Sequence, residues 1–321
     1  MPSRNFSFRR LYGSAVAYSG LAALQRARLR DRIVILAYHD MDAPTFKRHL
    51  EFLARTYNIV SLTKAVRAIK HGEALPQRAL VLTFDDGFRS FYTAVYPALR
   101  QFQSPATVFL TTGYIGSKDI PWFSWIDLAF RTRADIAGLL PHSLRGAEWP
   151  SLRRSLMAYL KAVPDEERQS VVKGVIQRVQ ASDEEVDRYR LLTWDQVREM
   201  ESTGLVSFGG HTRTHPILTR VDIDTARREV ADCAADLKRE LGPAARHFAY
   251  PNGTRADFNK QIQSIVREAG FASAVTIVRG TNGPGDDVFA LRRIAVDGTL
   301  SVGELAAKVS GLWPLPGQGA A

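Results

Sequence analysis

Apolar positions along this chain follow two alternating rhythms. Near-continuous runs such as RIVILAYHD (32–40) and ALVLTF (79–84) have the pattern of strands covered on both faces. Between them, apolar residues recur at helical spacing, as at Phe46, Leu50 and Leu53. The same reading predicts a short strand and a helix ending at Gly72 in IVSLTKAVRAIKHG. Further strands are predicted in SPATVFLTTGYIG, GLVSFGGHT, RHFAYPNG, FASAVTI and ALRRIAV, with a helix in NKQIQSIVREAG. Strands alternating with helices predict parallel βα units.

Residues from about 115 to 190 interrupt that alternation with an aromatic-rich segment, YIGSKDIPWFSWIDLAF, and a long helical pattern. No flexible linker bounds either edge, so the stretch is expected to be a helical insertion in one domain spanning 32–312. A basic helical arm (1–31) is expected before the domain and a flexible tail (313–321) after it. Trp122, Phe123 and Trp125 could stack on a sugar, but aromatic side chains dominate cores, and packing is the first expectation.

Polar clusters stand just after several predicted strands: His39, Asp85-Asp86, His211 and Pro251-Asn252-Gly253. In a (β/α) barrel the loops after the strands meet on one face, where catalytic groups collect. Two adjacent carboxylates at a strand end repel, unless one holds a cation while the other takes a proton. His211 and His215, four apart in GGHTRTHPIL, are placed by one helical turn on the same side and are candidate metal ligands. Thr212 excludes the protease pattern H-E-x-x-H. One carboxylate and two histidines leave positions open for water and substrate, as in catalytic zinc sites. The same ligand set suits a non-heme iron oxygenase, which gives no reason for the second aspartate.

Composition narrows the classes. The chain has 321 residues, 45% hydrophobic and 24% charged, ample for a globular core. A lone cysteine, Cys233, excludes an intrachain disulfide and a thiolate metal cluster, and its helical context predicts a core position. The formal net charge is +10, and residues 1–32 hold seven arginines against Asp31 alone. That arm is expected to be a surface helix, either solvated or resting on an anionic membrane surface. LYGSAVAYSGLAAL is too short to span a bilayer, which takes about 20 apolar residues. QRARLRDR follows it where a signal peptide would have a cleavage site. No nucleic-acid motif accompanies the charge, and no nucleic-acid partner is expected. The missing disulfides fit a cytoplasmic location, possible membrane contact included, and leave a periplasmic one open.

LTFDDG, HTRTH and FAYPNG, in that order and each after a predicted strand, resemble the motifs of the NodB-homology polysaccharide deacetylases. LAYHD and the segment LLTWDQVREMESTGLVSFGGHTRTHPIL resemble the bacterial exopolysaccharide-biosynthesis branch of that family, over roughly residues 32–300. The resemblance implies a distorted (β/α) barrel of seven or eight parallel strands. It implies release of acetate from N-acetylated amino sugars in a polysaccharide or a lipid-linked glycan. It assigns Asp85 as catalytic base and Asp86, His211 and His215 as ligands of a divalent metal, zinc first, with Co2+, Ni2+ or Fe2+ also suited. Tyr250 is a candidate substrate contact, and the oxyanion is expected near Tyr250–Asn252.

The chain departs from the family pattern in two places. Ala249 stands where the family has an arginine that orients the base, and Arg293 in ALRRIAV is the candidate replacement. The family's late Leu-x-His is replaced by Leu291-Arg292-Arg293, which leaves His39 as the candidate acid for the leaving amine. His49, His71, His142 and His247 are expected to have no role. An amidohydrolase on a small C–N substrate and an inactive carbohydrate-binding protein are the alternatives.

Overall fold

A computed structural model of the chain describes residues 20–244 and 246–312, together with Leu11, Gly13 and Ala15. Among the described residues eight strands form one sheet: β1 (Val34–Tyr38), β2 (Asn58–Ile59), β3 (Ala79–Phe84), β4 (Ala106–Leu110), β5 (Val206–Gly210), β6 (His247–Ala249), β7 (Ser273–Val275) and β8 (Ile294–Ala295). Every ladder between them is parallel, in the order β7-β6-β5-β4-β3-β1-β8. β2 pairs with the first residues of β3, and β4 takes over the same edge from Leu82 onward. The curve is drawn together by the segment that carries β8: Leu291 bridges to Val275 of β7, and Ile294 pairs with Leu36 of β1. This is the distorted (β/α) barrel that the strand pattern and the resemblance imply.

Alternate residues of each strand face opposite ways. Leu36, Tyr38, Leu82, Phe84, Val108, Phe208 and Phe248 pack outward, against the surrounding helices, in the larger core cluster. Ile33, Ile35, Val81, Phe109, Ala249, Val275 and Leu291 form the inner cluster, joined by helix Leu62–His71. Gly209 is required where β5 meets β6, because a Cβ there would lie 2.3 Å from the His247 carbonyl oxygen. Cys233 is fully buried in the outer core.

Helices Trp122–Thr132, Trp149–Ala162 and Asp165–Ile176 interrupt the βα alternation between β4 and β5 and surround an apolar cluster of their own. At the N-terminal end, helix Leu21–Arg28 buries Ala22 against Ala307 and leaves Leu21 and Leu24 exposed. Among the described residues no helix is long and apolar enough to cross a membrane. Most of the expected basic arm, and the whole of the expected tail at 313–321, lie outside the described residues.

Candidate active site

Asp85 and Asp86 follow directly on β3, and the chain turns at once. Asp86 takes φ 71° and Gly87 φ 84°, and the Gly87 N–H bonds to the Asp85 carbonyl at 2.9 Å. Aspartate tolerates this left-handed region better than most residues. At Gly87 a Cβ would also meet Leu110 Cδ2 at 2.7 Å. The turn brings both carboxylates into one cavity of about 290 Å3, lined also by His39, His211, His215, Asn252 and Arg293.

The two acids have different partners. Asp85 accepts from Arg293 through both oxygens, Nη1 to Oδ1 at 2.6 Å and Nη2 to Oδ2 at 2.7 Å. Arg293 is itself fixed by Nε donating to the Thr276 carbonyl at 2.8 Å and by Nη1 donating to Thr83 Oγ1 at 3.1 Å. Burial pushes the Asp85 carboxyl up, but the Arg293 guanidinium outweighs it and holds the group well below the usual carboxylate range. Burial first, and the Asp85 charge second, push Asp86 well above that range. Asp86 Oδ1 is buried without a hydrogen-bond partner.

Asp86 Oδ1 instead faces two imidazoles, at 3.6 Å from His211 Nε2 and 3.5 Å from His215 Nε2, while the two nitrogens are 3.2 Å apart. Ligands at about 2.0–2.1 Å on a tetrahedral zinc stand about 3.3–3.4 Å from one another. The three edges match one face of such a tetrahedron, and the orphaned carboxylate oxygen is what a cation there would satisfy. His211 Nδ1–H donates to the Ala249 carbonyl at 2.7 Å, which leaves the Nε2 lone pair facing the triangle. Burial lowers His211 to about 4, against the pull of Asp85. Burial, then His211, lowers His215 well below the ordinary imidazole value, so both rings are neutral near pH 7.

The helical spacing expected of the histidines is not what places them. Residues 211–215 form a loop in which Thr212 and His215 both have φ 63°. Glu229 pins this loop by accepting from the N–H groups of Arg213 (2.9 Å) and Thr214 (2.8 Å) and from Thr214 Oγ1 (2.6 Å). Thr212 Oγ1 accepts from the His215 N–H at 3.0 Å. Trp122 Nε1 donates to the His215 carbonyl at 3.1 Å.

His39 stands at the end of β1, half-exposed in the cavity, with Nε2 4.0 Å from Asp85 Oδ2. Asn252 reaches the cavity wall with φ 60°, and its side-chain amide donates to Asp257 Oδ2 at 2.6 Å. The structure corrects the expectation for Tyr250. Its ring is 1% exposed and stacked on Phe258, its hydroxyl donates to the Phe289 carbonyl at 2.9 Å, and it does not line the cavity. The Tyr-Pro-Asn-Gly turn exposes Asn252 to the site and sends the tyrosine into the core.

Of the three aromatic candidates, Trp122 is buried under the Arg168 guanidinium, 4.8 Å from the ring centroid, and Phe123 lies 4.9 Å from the His215 ring, both on the cavity wall. Trp125 faces away and donates to Asp119 Oδ1 at 3.3 Å. Asp127, Met157 and Lys161, which also line the cavity, were not legible in the sequence, since nothing local marks which face of an insertion helix turns inward. His49 and His247 are structural: His49 Nε2 pairs with the Leu300 carbonyl, and His247 sits between Ser273 and Thr63.

Residues 72–274 match the polysaccharide deacetylase family. A poly-beta-1,6-N-acetyl-D-glucosamine N-deacetylase of Escherichia coli K12 is 28% identical over 196 residues, 61% of this chain. The match spans only 21% of that longer relative. The solved structure of IcaB from Ammonifex degensii superposes with a TM-score of 0.59 at 21% identity, covering 87% of this chain and 97% of the other. The Streptococcus pyogenes deacetylase PplD, solved in complex with acetate, superposes with a TM-score of 0.58 at 20% identity, covering 87% and 98%. The matched range takes in Asp85, Asp86, His211 and His215, and the chain belongs to the polysaccharide deacetylase family.

Proposed function

We propose that the chain removes N-acetyl groups from a glycan built on N-acetylglucosamine, polymeric or lipid-linked, releasing acetate and leaving a free amine. The observation that carries this reading is the division of labour between adjacent acids. One carboxylate is oriented and charged by an arginine, while its neighbour is unpartnered and faces two neutral imidazoles.

Asp86, His211 and His215 would hold a divalent cation; nitrogen and oxygen donors suit zinc, with cobalt, nickel or iron as competitors. Such an ion supplies Lewis-acid polarisation of the acyl carbonyl. The protein groups then divide the proton transfers. Asp85, oriented by Arg293, takes a proton from the attacking water as the water oxygen bonds to the carbonyl carbon. A backbone N–H of the turn that brings Asn252 to the cavity wall would donate to the tetrahedral oxyanion. His39 gives a proton to the departing nitrogen as the C–N bond breaks. An inactive-binder reading rests on the departures at Ala249 and at Leu291-Arg292-Arg293, and the Arg293–Asp85 pair weakens the first of these.

The test is acetate release from N-acetylglucosamine oligomers, against a panel of small amides and cyclic ureides, after dialysis against chelator and after return of each metal. Release from the oligomers that is lost on chelation and restored by one metal is the expected result. Turnover of the small amides alone would favour the amidohydrolase. The basic arm supports a peripheral contact with an anionic membrane surface on the cytoplasmic side, where a lipid-linked substrate would be presented. Sedimentation with anionic vesicles, lost on removal of residues 1–31, checks that contact.

A further inference from the structure

The inserted helices contribute a wall to the cavity, and they do so in register. Helix Trp122–Thr132 presents Phe123 and Asp127, and helix Trp149–Ala162 presents Met157 and Lys161. Each pair is spaced i, i+4, so each lies on one helical face. Leu152, Leu156 and Leu160 of the second helix turn the other way, into the insertion's own core. The ion pair of Arg153 with Asp127, Nε to Oδ1 at 2.8 Å, ties the two helices together. The wall therefore combines an apolar part, Phe123 and Met157, with a carboxylate and an ammonium.

Asp127 is satisfied by Arg153, whereas Lys161 has no carboxylate within ion-pair distance among the described residues. It is half-buried on the wall of a cavity whose other cation, Arg293, is fully engaged. Asp86, Asp257 and Asp127 act on this ammonium only from beyond contact distance, so it has lost water without gaining a hydrogen-bond acceptor, and an acceptor on a ligand restores the balance. A cavity of about 290 Å3 is close to the lower end of ligand-site volumes, roughly 300–1,000 Å3. That is room for one acylated sugar residue, with its ring face on Phe123 and Met157.

We propose that Lys161 is a specificity-determining residue that donates hydrogen bonds to hydroxyl oxygens of the sugar bearing the acyl group, while Phe123 and Met157 pack against the sugar ring. This rests on the glycan reading above. The insertion thereby adds sugar recognition to a reaction centre carried by the barrel.

The test measures kcat and KM of the full-length protein on N-acetylglucosamine oligomers and, side by side, on 4-nitrophenyl acetate, which carries an acyl group and no sugar. Lys161→Met keeps the aliphatic stem. It is expected to lower kcat/KM on the oligomers about 10–100-fold, mainly through KM, with the ester changed less than about twofold, the range of a hydrogen bond to a charged group. Lys161→Arg is expected to recover much of the loss. No effect on the oligomers, or an equal loss on both substrates, would overturn the proposal and leave the glycan reading standing. Wild type that cleaves the ester but neither cleaves nor binds the oligomers would remove the glycan reading, and this proposal with it.

Discussion

Arg293 grips both oxygens of Asp85, at 2.6 and 2.7 Å, from a position 208 residues away in sequence. Both side chains are buried, and the guanidinium is held from behind by the Thr276 carbonyl and Thr83. The carboxylate is therefore fixed in direction as well as in charge. A planar fork can do this, and a point charge on a flexible stem cannot.

Arg293→Lys tests that orientation. The variant keeps a positive charge but loses the paired contact, so kcat/KM is expected to fall about 100-fold, near the 2–3 kcal/mol of a charge-assisted hydrogen bond. Metal content should stay at the wild-type level, since Arg293 touches none of Asp86, His211 and His215 in its hydrogen bonds. Steady-state kinetics with metal analysis checks both. Wild-type turnover would show that the grip has no catalytic role.

Tyr250→Phe tests the corrected placement of that residue. Only the hydroxyl bond to the Phe289 carbonyl is lost. Stability is expected to drop by about 1 kcal/mol, with kcat and KM unchanged. A raised KM with unchanged stability would return Tyr250 to the substrate site.

Much of the fold was legible because the strongest strands carry their burial in their own composition. β1 and β3 are buried from end to end and apolar but for Thr83, since helices cover one face and the barrel interior the other. β2 and β8, two residues each, are defined by partners distant in sequence and carry little local pattern. The candidate site divides the same way. Asp85-Asp86 and the two histidines stand out as local motifs, although a pinned loop, not a helical turn, brings the imidazoles together. Tyr250 points into the core because of Phe258 and the Phe289 carbonyl, which no local pattern announces. Lys161 reaches the cavity only through the way three inserted helices fold back on the barrel.

Trp122→Phe tests whether the insertion supports the metal loop. The ring is kept, but the N–H donated to the His215 carbonyl is lost. Metal affinity is expected to weaken about 10-fold, the lower end for groups that support a ligand. Calorimetric titration of the metal-free protein reads this directly. Unchanged affinity would confine Trp122 to packing under Arg168.

His247 makes stability depend on pH. Burial first, and Arg246 second, lower it to about 4, against about 6.5 in an unfolded chain. Between those values the unfolded chain holds a proton that the native state does not, so stability rises with pH in this window and is lost on acidification. The limiting slope is about 1.4 kcal/mol per pH unit. His247→Gln removes this contribution, so the stability difference between wild type and variant is expected to shrink by up to about 3 kcal/mol from pH 7 to 4. Urea unfolding midpoints across that range check it, and a pH-independent difference would contradict it.

The central claim is that neighbouring aspartates do separate work, and it is tested by acetate release from N-acetylglucosamine oligomers with bound metal measured on the same samples. Wild type is expected to release acetate with about one metal per chain, the number that a single three-ligand site holds. Asp85→Asn is expected to keep the metal and lose turnover, and Asp86→Asn to lose both. Asp85→Asn that still releases acetate at the wild-type rate, or Asp86→Asn that holds the metal as tightly as wild type, would contradict the account.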